Sequence, residues 1–328
     1  MEYLKNERLE TIHPDWQGNP IQKGVFQYVG EKSYTTSWGK MLRWGITPNP
    51  QRGKKKRDLK NWRLPIYPVE QLPSLAEDAI IWLGHSTFII QVKGKRMITD
   101  PIFGKLPMLK RYSDLPIPID KILGLDYLLL SHDHRDHCDE KSFKQLFKNN
   151  QPGVLTGLKM SSVIGKWVKD PEIQEAAWYQ RYNLFEDDLR ITFLPARHWC
   201  RRATTDLNLR LWGSFIIETP DYVIYFGGDS GIGDHFRQIG RVFPKIDYAI
   251  MGIGAYKPRF IMKESHMNPK EARKATDRLG ARKMIPMHFG CFDLSNEPLS
   301  EPHDEIIKQF SSKPDRLELL YPGQVLRI

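Results

Sequence analysis

His132, His134, Asp136 and His137 stand together in the run Ser131-His-Asp-His-Arg-Asp-His-Cys138. Imidazole nitrogens and carboxylate oxygens are the donors that zinc and similar divalent metals accept, and packing does not call for so many in so short a run. A metal held by such donors can activate water and offset negative charge in a hydrolytic transition state. The run follows Asp126-Tyr-Leu-Leu-Leu130, a short apolar stretch of the kind that forms a buried strand, so the donors are expected where a strand ends and the chain turns. On a helix, His132 and His134 would diverge. In an extended segment 132, 134 and 136 share a face, and a bend near Asp136 would bring His137 round to a second metal.

Other strand ends are expected to present further donors. Strand patterns occur at Ala79–Leu83, Phe88–Val92, Arg96–Thr99, Ile191–Leu194, Ser214–Ile217, Tyr222–Phe226, Tyr248–Met251 and Lys283–Met287, with Lys93-Gly94-Lys95 as a hairpin turn. His198, Asp229 and His288 each follow one of these strands, and glycines around Asp229 permit a tight turn and close backbone approach. One helix is well marked: Asn268 is the N-cap, Pro269 the first helical residue, and Glu271 completes the cap. Ala272, Ala275, Thr276 and Leu279 form one stripe before Gly280 stops it. Strands in blocks with interspersed helices predict sheets with helices outside.

Together these residues bear a resemblance. His132 to His137 match the HxHxDH signature of the metallo-β-lactamase superfamily, and His198, Asp229 and His288 follow in the same order. Within it, the chain resembles the N-acylphosphatidylethanolamine-hydrolysing phospholipase D group and its bacterial relatives. The carrying motifs are Trp82-Leu-Gly-His-Ser-Thr-Phe88, Thr99-Asp-Pro-Ile-Phe103, Pro195-Ala-Arg-His-Trp199, Gly228-Asp-Ser-Gly231, Ile253-Gly-Ala-Tyr256, His266-Met-Asn-Pro269 and Asn296-Glu-Pro-Leu299. The match spans roughly residues 75 to 305. It implies an α/β fold, an αββα sandwich of two mixed sheets with outer helices, and two divalent metals at the sheet edges. His132, His134 and His198 would hold one metal, Asp136, His137 and His288 the other, and Asp229 both. Zinc suits the donors best, with iron or manganese compatible in one position.

The implied activity is a phosphodiesterase of phospholipase D type, in which a metal-bridging hydroxide attacks the phosphodiester of an N-acylphosphatidylethanolamine-like lipid. Asp136 and Asp229 would serve catalysis through the metals. Asp100 and His85 are candidates to orient ligands, and His266 to protonate the leaving group or orient substrate. Arg201 and Arg202 could contact phosphate, with Trp199 and Tyr256 as further outer-layer or substrate contacts. Cys138 and Cys200 depart from the group, which carries leucine and serine at these places, and that difference bears on substrate fit. The rival readings are a lactonase or other ester hydrolase, a nuclease, and a metal- or anion-binding protein without catalysis. A nuclease calls for an extended basic surface, and only Lys54-Lys-Lys-Arg57 is dense, so nucleic acid ranks below lipid.

The 328 residues are 40% hydrophobic and 27% charged, with 49 basic and 39 acidic side chains and a net charge of +10. That excess favours anionic partners, including an acidic membrane surface. The start lacks the apolar stretch of a signal peptide, and a cytoplasmic protein is expected, peripheral to the inner face of the membrane if it meets lipid. Cys138, Cys200 and Cys291 form no disulfide framework; each lies within three residues of a candidate ligand and is read as a small packed residue, with ligation or redox sensitivity as the alternative. Residues 1–75 are expected to be an irregular segment that packs, through its aromatics Trp16, Phe26, Tyr28, Trp38, Trp44 and Trp62, on a hydrolase domain of residues 76–328. Lys54–Arg57, read as a loop, with Trp44 and Trp62 beside it, would meet an anionic lipid surface. An oligomer is compatible with all of this.

Overall fold

Tyr127–Leu130 is apolar at every position because both of its faces are covered. Leu128 and Leu130 join an outer cluster with Phe143 and Leu146, while Tyr127 and Leu129 join the large cluster between two sheets. Ala79–Gly84 divides in the same way, with Ile80 and Trp82 inward and Ile81 and Leu83 outward. Such double burial turns an alternating strand pattern into a continuous apolar run.

The computed structural model describes residues 2–28, 38–107, 109–184 and 188–328, without the side chain of Trp38. One seven-stranded sheet runs Ile173–Ala176, Gly153–Gly157, Tyr127–Leu130, Lys95–Thr99, Thr87–Val92, Ala79–Gly84 and Val325–Arg327. Its first four strands are parallel and the rest antiparallel. The second runs Lys283–Met287, Tyr248–Gly252, Val223–Phe226, Ser214–Glu218, Arg190–Leu194, Gln180–Arg181 and Glu10–Thr11. It is parallel across its first three strands and antiparallel beyond. Helix Glu140–Leu146 buries Phe143 and Leu146 on the outside of the first sheet. Helices His235–Val242, Pro269–Leu279 and Glu301–Gln309 pack on one another outside the second. The expected αββα sandwich of two mixed sheets is therefore what forms. Among the described residues no helix is long and apolar enough to cross a membrane.

The helix at 269–279 has the cap and stop read from its sequence: Asn268 accepts from the Glu271 amide, Glu271 accepts from the Asn268 amide, and Gly280 takes φ of 70°. The segment expected to be irregular is more regular than its composition suggested. It holds a small antiparallel sheet of Glu2–Leu4, Asn19–Gln22 and Val25–Phe26, and helices Trp38–Ile46 and Arg52–Asn61. Lys54–Arg57 therefore lies on a helix rather than a loop. Lys55 is drawn in toward Asp293, 2.6 Å away, and the Ser295 carbonyl, while Lys54, Lys56 and Arg57 remain exposed. Trp44 donates to Asn296 and Trp62 packs on the core and His303.

The turn after Tyr127–Leu130 is held from behind. Asp133 is fully buried and paired with Arg210, whose guanidinium also meets Asp206 at 2.6 Å. Arg202 donates to the Asp133 and Cys138 carbonyls. Losing one member of a buried pair leaves an uncompensated charge, at a cost of about 3–5 kcal/mol. Arg210→Met is accordingly expected to lower unfolding stability by roughly that amount in urea titration, and a change under about 0.5 kcal/mol, the size of an ordinary surface substitution, would show that the pair does not brace this turn.

Candidate metal centre

Every candidate donor emerges at the carboxyl end of a strand or in the turn that follows it, where ligands gather in α/β sheets. Residues 131–134 leave the strand without regular structure and 135–137 turn, with the His137 and Cys138 amides both donating to the His134 carbonyl. That turn separates the four donors. His132 and His134 stay together, and Asp136 leaves the face it would share with them in an extended chain to join His137.

Two groups result. In the first, His132 Nε2, His134 Nδ1 and His198 Nε2 meet at 3.0 and 3.1 Å, with Asp229 Oδ2 4.0 Å from His132 and 3.8 Å from His198. In the second, Asp136 Oδ2 lies 3.7 Å from His137 Nε2 and 3.5 Å from His288 Nε2. The same Asp229 oxygen is 3.1 Å from His137 and 3.2 Å from His288, so it faces both groups. His85 is closer in than the sequence placed it, with Nε2 3.2 Å from Asp136 and its ring 4.1 Å from that of His288.

Hydrogen bonds on the far side of the rings settle which nitrogen faces inward. His137 Nδ1 donates to Asp100 at 2.7 Å. Ser131 Oγ gives its proton to Asp100 at 2.6 Å and so accepts from His132 Nδ1 at 2.9 Å. His198 Nδ1 donates to the Ser265 carbonyl at 3.0 Å. In the neutral ring the second nitrogen is then a bare acceptor, and three such lone pairs point into the site. His137 Nε2 and His288 Nε2 are buried and face the carboxylate oxygens of Asp136 and Asp229. Outer acceptors that fix the tautomer in this way are the usual companions of metal-binding histidines. The donor set thus fits divalent cations of nitrogen- and oxygen-liking type.

The electrostatics agree. Burial pulls His132 well below its ordinary range, and takes His134 to about 4 and His198 to about 3. Burial acts against the charge on His137 and His288 as well, but Asp229 and Asp136 outweigh it, lifting His137 well above the usual range and His288 to about 9. Burial likewise opposes charge on Asp136 and Asp229, yet the surrounding imidazoles hold both carboxyls well below the usual range. The pocket therefore demands positive charge, which protons or cations can supply.

Over this floor opens a cleft of about 320 Å³. His266 lines it, 3.8 Å from Asp229, and burial holds its ring down at about 3 and so neutral. Trp199 stands edge-on to His134, and Arg201 lies over the Trp199 ring. Met41, Trp44, Ile261, Met262 and Leu294 make an apolar wall. Arg135, from inside the HxHxDH run, adds a cation that the ligand reading of that run passed over. Two candidates lie elsewhere. Arg202 is spent on carbonyls behind the turn, and the Tyr256 hydroxyl donates to Glu301 at 2.5 Å, away from the cleft. All three cysteines are buried with thiols pushed up by burial, and among the described residues none joins a donor cluster.

The sandwich and its paired donor clusters are those of the metal-dependent hydrolases built on the metallo-β-lactamase fold. The chain belongs to the β-lactamase superfamily: a family model described as "Beta-lactamase superfamily domain" matches residues 95–289. N-acyl-phosphatidylethanolamine-hydrolyzing phospholipase D 1 of Caenorhabditis elegans is 32% identical over 324 residues, covering 92% of this chain and 85% of that one. The mitochondrial N-acyl-phosphatidylethanolamine-hydrolyzing phospholipase D of Saccharomyces cerevisiae is 30% identical over 72% of this chain and 53% of its own. Among solved structures, the metallo hydrolase Igni18 of Ignicoccus hospitalis shares the fold, with a TM-score of 0.58 at 18% identity over 76% of this chain and 97% of that one.

Two donor groups that share one carboxylate are expected to take up about two divalent cations per chain. Asp229→Ala is expected to deplete both groups, and His132→Ala mainly the three-histidine group, in elemental analysis after zinc loading. Unchanged metal content in Asp229→Ala would remove the shared role of that carboxylate.

Proposed function

We propose that this protein is a dinuclear-metal phosphodiesterase that cleaves N-acylphosphatidylethanolamine-like lipids on the head-group side of phosphorus, releasing phosphatidic acid. The observation that carries this reading is the mixed lining of the cleft, which joins the cations Arg135 and Arg201 and the apolar side chains of Met41, Trp44, Ile261, Met262 and Leu294 to the donors His134, Asp136 and Asp229. A lipid phosphodiester has the matching mixture of anionic and apolar parts, and the relatives named for that activity support it.

His132, His134 and His198 would hold one cation, Asp136, His137 and His288 the second, and Asp229 both. When bound, such cations supply Lewis acidity, which makes water nucleophilic near neutral pH and offsets charge at phosphorus. The rest falls to the chain. Arg135 and Arg201 bind nonbridging oxygens through charge-assisted hydrogen bonds. The apolar wall holds an acyl chain and keeps water from the reacting bond. The neutral His266 ring orients the head group by hydrogen bonding, and Asp100 and Ser131 keep the lone pairs of His137 and His132 pointed inward. Mass spectrometry of products from N-acylphosphatidylethanolamine tests the bond choice. Phosphatidic acid with N-acylethanolamine is expected; diacylglycerol with a phosphorylated head group, or turnover of lactones alone, would overturn the proposal.

The same reading places a lipid surface beside the cleft. Helix Trp38–Ile46 leaves Leu42 69% and Ile46 73% exposed, and helix Arg52–Asn61 leaves Lys54, Lys56 and Arg57 in solvent. These residues, rather than Trp44, Trp62 and Lys55, are the ones available to meet lipid. Each exposed cation contributes about 1 kcal/mol near an anionic surface. Changing Lys54, Lys56 and Arg57 to Gln is expected to weaken sedimentation with phosphatidylglycerol vesicles in a salt-dependent way, while turnover of a soluble diester stays unchanged. Vesicle binding that ignores the triple substitution and salt would place the contact elsewhere.

A further inference from the structure

Arg197 and Ser230 each neighbour a donor, His198 and Asp229, and the two loops are laced together. The Arg197 amide donates to Ser230 Oγ at 2.9 Å, the Gly231 amide to the Arg197 carbonyl at 2.8 Å, and Arg197 Nη1 to the Ile232 carbonyl at 2.9 Å. Ser230 Oγ also touches two further groups, the Gly231 carbonyl at 2.8 Å and His235 Nε2 at 3.1 Å. A hydroxyl has one proton to give. The shorter contact, to the carbonyl, takes it, so His235 Nε2 carries a hydrogen and donates to Ser230. The neutral ring then accepts at Nδ1, where Tyr28 Oη stands at 3.0 Å.

The chain Tyr28 to His235 to Ser230 is tightly enclosed. His235 is 3% exposed and Ser230 4%. The Tyr28 ring packs edge-on against both His235 and Trp178. A side-chain carbon at Gly233 would fall 2.6 Å from His235 Nδ1 and 3.1 Å from the Tyr28 hydroxyl, so the backbone closes directly over their hydrogen bond. Burial, with Arg197 and Arg278 nearby, holds His235 down at about 3 and so keeps the ring neutral at ordinary pH, while its hydrogen-bond partners select the tautomer. None of the three groups reaches the cleft lining.

We propose that His235 is a positioning residue: through Ser230 it fixes the spacing of the His198 and Asp229 loops, and Tyr28 couples that spacing to the N-terminal segment. The inference rests on the metal-centre reading. It follows that the group of His132, His134 and His198 depends on His235 through both His198 and Asp229, whereas Asp136, His137 and His288 feel it only through the shared Asp229. Side chains behind metal ligands typically account for roughly ten- to a hundredfold in metal affinity.

The test is the release of zinc from the full-length, zinc-loaded protein to a chromophoric chelator. His235→Leu is expected to release one of two zinc ions roughly ten- to a hundredfold faster, and the other by a smaller factor. His235→Gln, whose amide can still donate to Ser230, should return release close to the unsubstituted rate. Tyr28→Phe keeps the ring packing and serves where His235→Leu fails to fold; it should speed the same zinc by a smaller factor. The thermal midpoint of the metal-free variants reports on the fold separately. Release of both zinc ions at the unsubstituted rate in folded His235→Leu and Tyr28→Phe would overturn the positioning role. Equal acceleration of both would overturn its selectivity for one group. If the unsubstituted protein retains no zinc after loading, the metal centre itself fails, and this inference with it.

Discussion

Two carboxylates beneath a sheet edge set the terms for the rest of this molecule. Asp229, buried, and Asp136, largely so, keep their charge because imidazoles crowd around them. A buried anion without compensation costs several kcal/mol even after relaxation. The sandwich therefore has to deliver several nitrogens to one place from widely separated stretches of chain. It does so with awkward backbone: His85, Asp100 and His288 take φ of 54°, 33° and 61°. Left-handed conformations cost L-residues about 1–2 kcal/mol each, and they persist where the surrounding structure over-determines them. Here the parallel strands that precede Asp100 and His288 are hydrogen-bonded on both sides or buried on both faces, and His288 is further held by its amide bond to the His85 carbonyl.

Around the donors lies a layer that sets orientation rather than composition. Asp100 serves His137 directly and His132 through Ser131, so one buried carboxyl governs rings that belong to both groups. Further out, the buried Asp133–Arg210 pair braces the turn that parts His134 from Asp136. On the opposite side the Arg259 guanidinium grips both oxygens of Glu271 and the His266 carbonyl. Glu271 is also half of the cap on helix Pro269–Leu279. The helix start is thereby tied to His266 in the cleft lining.

What could be read in the sequence was what has a short-range signature. The strand runs, the 268–280 helix with its cap and glycine stop, and the donors at strand ends all depend on neighbours in the chain, and they appear where expected. Helix Arg52–Asn61 was hidden because it buries no residue and has no apolar stripe; it is held by contacts such as Lys55 to Asp293 that only the fold creates. Tyr256 looked like a site residue by its motif, but Glu301, on a distant helix, claims its hydroxyl. Arg202 and Arg201 are adjacent and chemically alike, and which one faces the cleft is decided by the carbonyls of a turn sixty-odd positions earlier. Arg135 lies inside the 132–137 run, but ligand spacing carries no signal for a cation there; its place in the cleft lining comes with the turn at 135–137.

The acceptors behind the rings differ in one respect that reaches beyond chemistry. His137 and His132 lean on side chains, Asp100 and Ser131, whereas His198 leans on the backbone carbonyl of Ser265. A single codon change can delete a carboxyl or a hydroxyl, but no codon change deletes a carbonyl. Under mutational drift the two kinds of support therefore age differently. The hold on His137 and His132 must be kept by selection in every generation, while the hold on His198 is inherited for as long as the chain keeps its path.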